Sequence, residues 1–233
     1  MRTMEVALGV PDDEVVDDAE VDHVLGVIRG GGLTLLKANI GYGLIGHTER
    51  SIRRMYEVKG RPLTNPCITI GSIDVLRDLV IMEDPRLLDW IAEVSEMTTL
   101  AVINRLNPDS RLFAKLTPHV RRQCSENGTV ATFIRTGAFI EQLVEKALAE
   151  DILLVGSSGN ISSTGNRYTF ADVQPQVLEG VDFWHEKGDA KYLNDQKLAT
   201  SIVNLTNFTF RRKGVNHEYI AASLDAFRSR TGL

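Results

Sequence analysis

Short apolar runs and stretches of helical period take turns along this chain from Val21 onward. That alternation restricts it to folds in which helices cover a sheet. Strand-like runs fall at residues 33–36, 67–70, 100–103, 129–135, 152–155, 181–184, 201–205 and 208–211. Between them, residues 21–28, 48–58, 72–79, 85–94, 138–149, 171–178 and 217–228 read as helices. The punctuation agrees. Gly30, Gly31 and Gly32 stop the first helix, Thr48 or Ser51 can cap the second, and Ser72 can cap the third. Gly41, Gly43 and Gly46 make residues 41–46 read as a glycine-rich loop. There is no internal repeat, and no long linker splits the pattern. The expected fold class is α/β: a single domain with a twisted mixed sheet flanked by helices.

With 233 residues and 43% hydrophobic side chains, the chain is long enough to bury one substantial core. Residues 1–18 hold Asp12, Asp13, Glu14, Asp17 and Asp18 and read as an acidic arm ahead of a domain over residues 19–233. A net charge of −5 argues against a globally basic nucleic-acid binder and leaves room for a local basic patch. Cys67 and Cys124 are too few and too far apart to suggest a disulfide framework or a zinc site. His23, His47, His119, His185 and His217 show no ligand spacing either. No run approaches the roughly 20 apolar residues of a membrane span. The expected setting is soluble and cytoplasmic, with reduced thiols and no membrane partner.

Against that acidic background, Arg50, Arg53, Arg54, Lys59 and Arg61 fall within twelve residues. Lys59-Gly60-Arg61 closes the helix, where a point charge and a rigid guanidinium fork would suit a phosphate chain. The plain alternative is a solvated basic helix whose lysine complements the C-terminal dipole. A second constellation, Gly156-Ser157-Ser158-Gly159-Asn160, follows the apolar run 152–155. Ligands in open α/β sheets sit beyond the carboxyl ends of strands, and small residues there let backbone N–H groups approach phosphate. No Gly-Lys-Ser/Thr follows, so this is no P-loop; an ordinary Ser/Gly turn is the alternative. Third, Gly41-Tyr42-Gly43-Leu44 reads as a tight turn presenting a tyrosine, or as a core tyrosine in a turn.

Taken in order, these pieces resemble the YrdC/Sua5 family of threonylcarbamoyl-AMP synthases. The resemblance rests on Tyr42-Gly43-Leu44, Lys59-Gly60-Arg61-Pro62, Ser158-Gly159-Asn160, the stretch from Thr200 to Leu205, and Arg212-Lys213-Gly214, spanning about residues 20–215. It implies a YrdC-like fold and a nucleotidyltransferase that takes ATP, with Mg2+ accompanying the nucleotide, plus bicarbonate and an amino acid or amine. The products would be a carbamoyl-adenylate and pyrophosphate, the former passed to a downstream carbamoyl-transferase in tRNA modification. By the same resemblance Lys59 and Arg61 would be catalytic. Ser158, Asn160, Arg135, Ser201 and Arg212 would bind nucleotide.

The family usually carries Pro-Thr-Asp-Thr before the tyrosine turn, whereas this chain has Lys37-Ala38-Asn39-Ile40. Both threonines are replaced, so the acceptor-binding set becomes Lys37, Asn39 and Tyr42, and the acceptor need not be threonine. A site built to bond a hydroxyl discriminates strongly, so losing its partners changes the substrate. A non-catalytic YrdC-like protein that binds a nucleotide or RNA on the same surface is the alternative.

Overall fold

A computed structural model describes Gly9 and residues 15–233 of the chain. Most of the expected acidic arm lies outside those residues. Its last members are described: Asp17 caps the first helix through its carboxylate, and Asp18 begins it.

In chain order the elements begin α1 (Asp18–Arg29), β1 (Thr34–Ala38), β2 (Gly41–Gly46), α2 (Glu49–Lys59), β3 (Ile68–Ile70), α3 (Ile73–Leu79) and β4 (Val80–Ile81). The middle of the chain forms α4 (Arg86–Met97), β5 (Leu100–Leu106), α5 (Arg111–Ala114), α6 (Pro118–Cys124), β6 (Ser125–Glu126), β7 (Thr129–Ile134) and α7 (Ala138–Ala149). It finishes with β8 (Leu154–Ser158), α8 (Pro175–Glu179), β9 (Phe183–Trp184), β10 (Ile202–Asn204), β11 (Thr209–Arg212) and α9 (His217–Thr231).

The strands form one twisted mixed sheet in the order β11-β10-β5-β7-β3-β8-β2-β1-β9. Only β1–β9, β10–β5 and β3–β7 pair in parallel along this path. The fold is therefore the expected helix-flanked mixed α/β domain. β8 lies between β3 and β2, which suits the buried Leu154 and Val155. α1 packs on α7 and on β1, and α4 packs on α9, where Trp90 donates to Ser223 Oγ at 3.1 Å.

Two local differences from the sequence reading matter for the site. Residues 41–46 form strand β2, not a loop, paired with β1 on one side and β8 on the other. Glycine is tolerated there because neighbours approach closely. A Cβ at Gly46 would lie 2.6 Å from Ser51 Oγ, and one at Gly41 would lie 2.7 Å from Arg167 O. The expected strand 129–135 stops at Ile134, because Arg135 adopts a left-handed φ of 59° and bends the chain toward α7.

Helix α2 starts with a reciprocal Thr48–Ser51 capping box and stops at Gly60, whose φ of 54° is left-handed. Its inward stripe is Ile52, Met55, Tyr56, Val58 and finally Lys59. The helix thereby delivers a lysine, 1% exposed, into the protein at its last turn.

Candidate functional site

The five cations of the basic helix separate into two groups. Arg53 pairs with Glu49 at 2.6 Å and Arg54 with Asp182 at 3.0 Å, so both serve the helix surface. Lys59 turns inward instead. Its Nζ donates to the Ser158 carbonyl and, at 2.6 Å, to the Asn160 carbonyl. The Ser162 N–H returns a bond to the Lys59 carbonyl at 2.9 Å. The ammonium thus pins the loop after β8, meeting the rule that a buried charge needs hydrogen-bond partners. Burial first, and the positive charge of Arg61 second, pull the Lys59 pKa down to about 7.

Beside this latch lies a cavity of about 390 Å³ on one face of the sheet. Strand alternation explains its wall. In the β1–β2 pairing Ala38 lies opposite Gly41 and Leu36 opposite Gly43, so these share one face; Lys37 lies opposite Tyr42 on the other. Ile68, Ile70, Ala131 and Phe133 supply an apolar floor, and Gly156 and Ser158 continue it. Arg61, Arg211 and Arg212 bring positive charge to the lining. Arg61 is braced by the carbonyls of Asn65 (3.2 Å) and Pro66 (2.7 Å), and Arg212 Nε donates to Thr200 O at 2.8 Å. Gly156 cannot carry a side chain here. Its Cβ would stand 2.7 Å from Ile70 Cδ1 and 2.9 Å from Leu44 O.

Of the residues expected to act, Arg61, Ser158 and Arg212 line the cavity, and Tyr42 borders it from within β2 while its ring lies on the other face. Lys59 and Asn160 sit behind it and shape the loop; the Asn160 amide donates to Ile161 O at 2.6 Å. Five expectations are redirected. Arg135 turns to Glu141 at 3.1 Å, because its left-handed backbone aims it at the start of α7. Ser201 is fully buried, donating to Val215 O at 3.0 Å and accepting from Gly214 N at 2.9 Å, so its hydroxyl holds the β10–β11 region. Asn39, 6% exposed, spends its amide on Arg135 O at 3.1 Å. Tyr42 presents no exposed ring. It is 2% exposed, its hydroxyl donates to Gly188 O at 2.9 Å, and its ring packs edge-on to Phe170. Lys37 shares that face, opposite the cavity, by the same parity.

A family model whose description reads Sua5_yciO_yrdC, "Telomere recombination", matches residues 26–214. This chain belongs to the Sua5/YciO/YrdC family. No curated protein matches it in sequence. Among solved structures, a hypothetical protein from Streptococcus mutans is 18% identical, with 91% of each chain covered and a TM-score of 0.76. YciO of E. coli is 16% identical over 88% of this chain and 93% of that one, with a TM-score of 0.67. Sua5 of P. abyssi, solved with L-threonine, is 21% identical over 83% of this chain and 53% of that one, with a TM-score of 0.61. The chain thus spans about half of that Sua5. These likenesses establish a shared fold.

The family frame leaves several lining residues that no motif marked. Thr136 and Asn166 line the cavity beside Ala38, Ile40 and the motif residue Thr200, while Cys67, Cys124, Ser125 and Glu126 line it as well. A strand period of two would have placed Ala131 and Phe133 on one face; the loop residues carry no such signal. The described residues contain no cluster of three His, Cys, Asp or Glu able to hold a metal. No helix among them is long and apolar enough to cross a membrane.

Proposed function

We propose that this member of the Sua5/YciO/YrdC family is an ATP-dependent nucleotidyltransferase that makes a carbamoyl-adenylate. An amine condenses with bicarbonate to a carbamate, with loss of water. A carbamate oxygen then attacks the α-phosphorus of ATP, and the bond to the β-phosphate oxygen breaks to release pyrophosphate. Mg2+ enters with the triphosphate as part of that substrate.

One observation carries the reading: the Lys59 ammonium fastens the loop at Ser158–Asn160 beside a cavity that Arg61, Arg211 and Arg212 line. Adenylation asks for fixed donors and clustered cations around a departing pyrophosphate. The Ser158 hydroxyl and Arg61 supply such groups, while the apolar floor of Ile68, Ile70 and Phe133 suits a base or sugar face. Lys59 acts through the loop rather than on the phosphates. The product is a mixed anhydride of the kind a carbamoyl-transferase consumes.

The test is pyrophosphate release from ATP with bicarbonate and a panel of amino acids and amines. The expected result is release that depends on both bicarbonate and one amine class. Nucleotide or RNA binding with no release under any acceptor would replace the enzyme with the non-catalytic alternative.

A further inference from the structure

The β1–β2 hairpin is held by a second set of bonds on the side away from the cavity. Lys37 and Tyr42 stand opposite each other, and their N–H groups point outward rather than across the pair. The Tyr42 N–H goes to Arg167 O at 2.8 Å, and the Lys37 N–H goes to His185 Nε2 at 2.9 Å. β9 has run out by then, since it pairs with β1 only through Thr34–Phe183 and Leu35–Trp184. The imidazole of the next residue supplies the acceptor that a longer strand would have given. Two residues on, the Lys187 N–H donates to the Tyr42 hydroxyl at 3.1 Å, and that hydroxyl donates to Gly188 O at 2.9 Å. Residues 185–188 therefore grip both strands of the hairpin at one register pair.

The tautomer of His185 follows from this arrangement. A backbone N–H only donates, so Nε2 carries the lone pair and the ring proton sits on Nδ1. Nδ1 faces the Glu20 carboxylate of α1 at 3.4 Å, and Lys187 Nζ holds the same carboxylate at 2.7 Å. His185 is 5% exposed. The Phe139 ring of α7 lies 4.8 Å from it, and Phe183, which itself packs on His23, lies 6.3 Å away. Burial pushes the His185 pKa down; Glu20 works against that push, and the charges of Lys187 and Lys37 add to it. The unfolded chain therefore takes the proton first as pH falls, so His185 withdraws stability as pH drops through the ordinary histidine range. Folded, the ring stays neutral in that range and keeps its bond to Lys37.

We infer that His185 is a positioning residue for the cavity: as the Nδ1–H tautomer it holds the hairpin in the register that turns Ala38 and Gly41 to the cavity, and a proton taken up at Nε2 breaks that hold. With Nε2 protonated, two donors face each other in a buried place and the Lys37 N–H loses its partner. The wall then spends part of its time out of place, and the apparent affinity for whatever it contacts falls by that fraction. The kinetic consequence rests on the reading of the cavity as the site of carbamoyl-adenylate formation and names a control on that site; the hold itself does not.

The experiment follows the 15N-labelled full chain by NMR and pairs it with pyrophosphate-release kinetics. At pH 7 the His185 ring is expected as the Nδ1–H tautomer. As pH falls, the Lys37 amide should shift with the same midpoint as that ring, below the ordinary histidine range. His185→Leu keeps apolar bulk and removes the acceptor. It should speed exchange of the Lys37 amide about tenfold or more, while amides of β5 and β7 stay protected and report a folded chain. It should also raise KM for the amine about tenfold and change kcat less than about threefold. His185→Gln keeps an acceptor, so it should restore both readouts to within about threefold of wild type and leave the Lys37 amide indifferent to pH. An Nε2–H tautomer at pH 7, a Lys37 amide that ignores the His185 titration, equal exchange in wild type and His185→Leu, or no recovery in His185→Gln would overturn the inference. Wild type that releases no pyrophosphate with any amine would sink the adenylate chemistry instead, and the tautomer and exchange readouts would still decide the role of His185.

Discussion

The latch after β8 and the β1–β2 hairpin are two walls of one cavity, held by different means. At the latch a side chain orders a backbone: Lys59 crosses from the end of α2 to the carbonyls of Ser158 and Asn160. At the hairpin, backbone pairing decides which side chains matter. Lys37 opposite Tyr42 and Ala38 opposite Gly41 fix which residues face the cavity. The first wall depends on one charged residue and should fail when it is removed. The second depends on register and should tolerate loss of the cation that faces away.

The largest separation is expected at Lys59. Lys59→Ala should lower pyrophosphate release about 100-fold or more, because the donors that face the phosphates lose their fixed geometry. Arg61→Ala should follow at roughly 10- to 100-fold, the value of a hydrogen bond to a charged group. Steady-state assays of both variants test the latch wall; full activity in Lys59→Ala would break the contrast. Gly156→Val should destabilise the protein by about 1–3 kcal/mol in urea unfolding, since its side chain has nowhere to go between Ile70 and Leu44.

A smaller effect concerns pH. The folded pKa of Lys59 is lowered from 10.5 to about 7, so between those values the unfolded chain holds a proton that the folded chain has lost. Lys59 thus makes the free energy of unfolding, and so stability, rise with pH across that window, and the penalty for its charge is complete below it. Lys59→Met should flatten this part of the pH profile, read by denaturation at pH 7 and pH 10. Least of all, Lys37→Ala and Arg50→Ala should each change turnover less than about threefold, as expected of cations outside the cavity lining. A large loss in Lys37→Ala would show that the hairpin presents its other face to substrate.

The alternation of apolar runs made the layered sheet legible, and Lys-x-Arg with Ser-x-Asn marked the latch, because charge and small polar residues in fixed order are local signals. What these residues touch was less legible. Lys59 is read from sequence as a phosphate ligand, yet its amine is taken up by two carbonyls 99 and 101 residues away in sequence. Ser201 and Asn39 look like polar ligands but are spent on Val215 and Arg135. β2 was hidden because its three glycines read as a turn, although close packing by Ser51 and Arg167 is what demands two of them. Thr136 carries no motif at all; only the folded arrangement brings it to the cavity lining.

The hairpin between β1 and β2 turns on just Asn39 and Ile40. A strand repeats every two residues, so inserting or deleting a single residue at this tip would swap one strand's inner and outer sides at once. If β2 slipped along β8 to absorb the change, Tyr42 and Gly41 would exchange faces while β1 kept its own. A lineage could in this way rewrite what the pocket admits through one codon gained or lost, while the anchorage of Lys59 across the sheet stayed untouched.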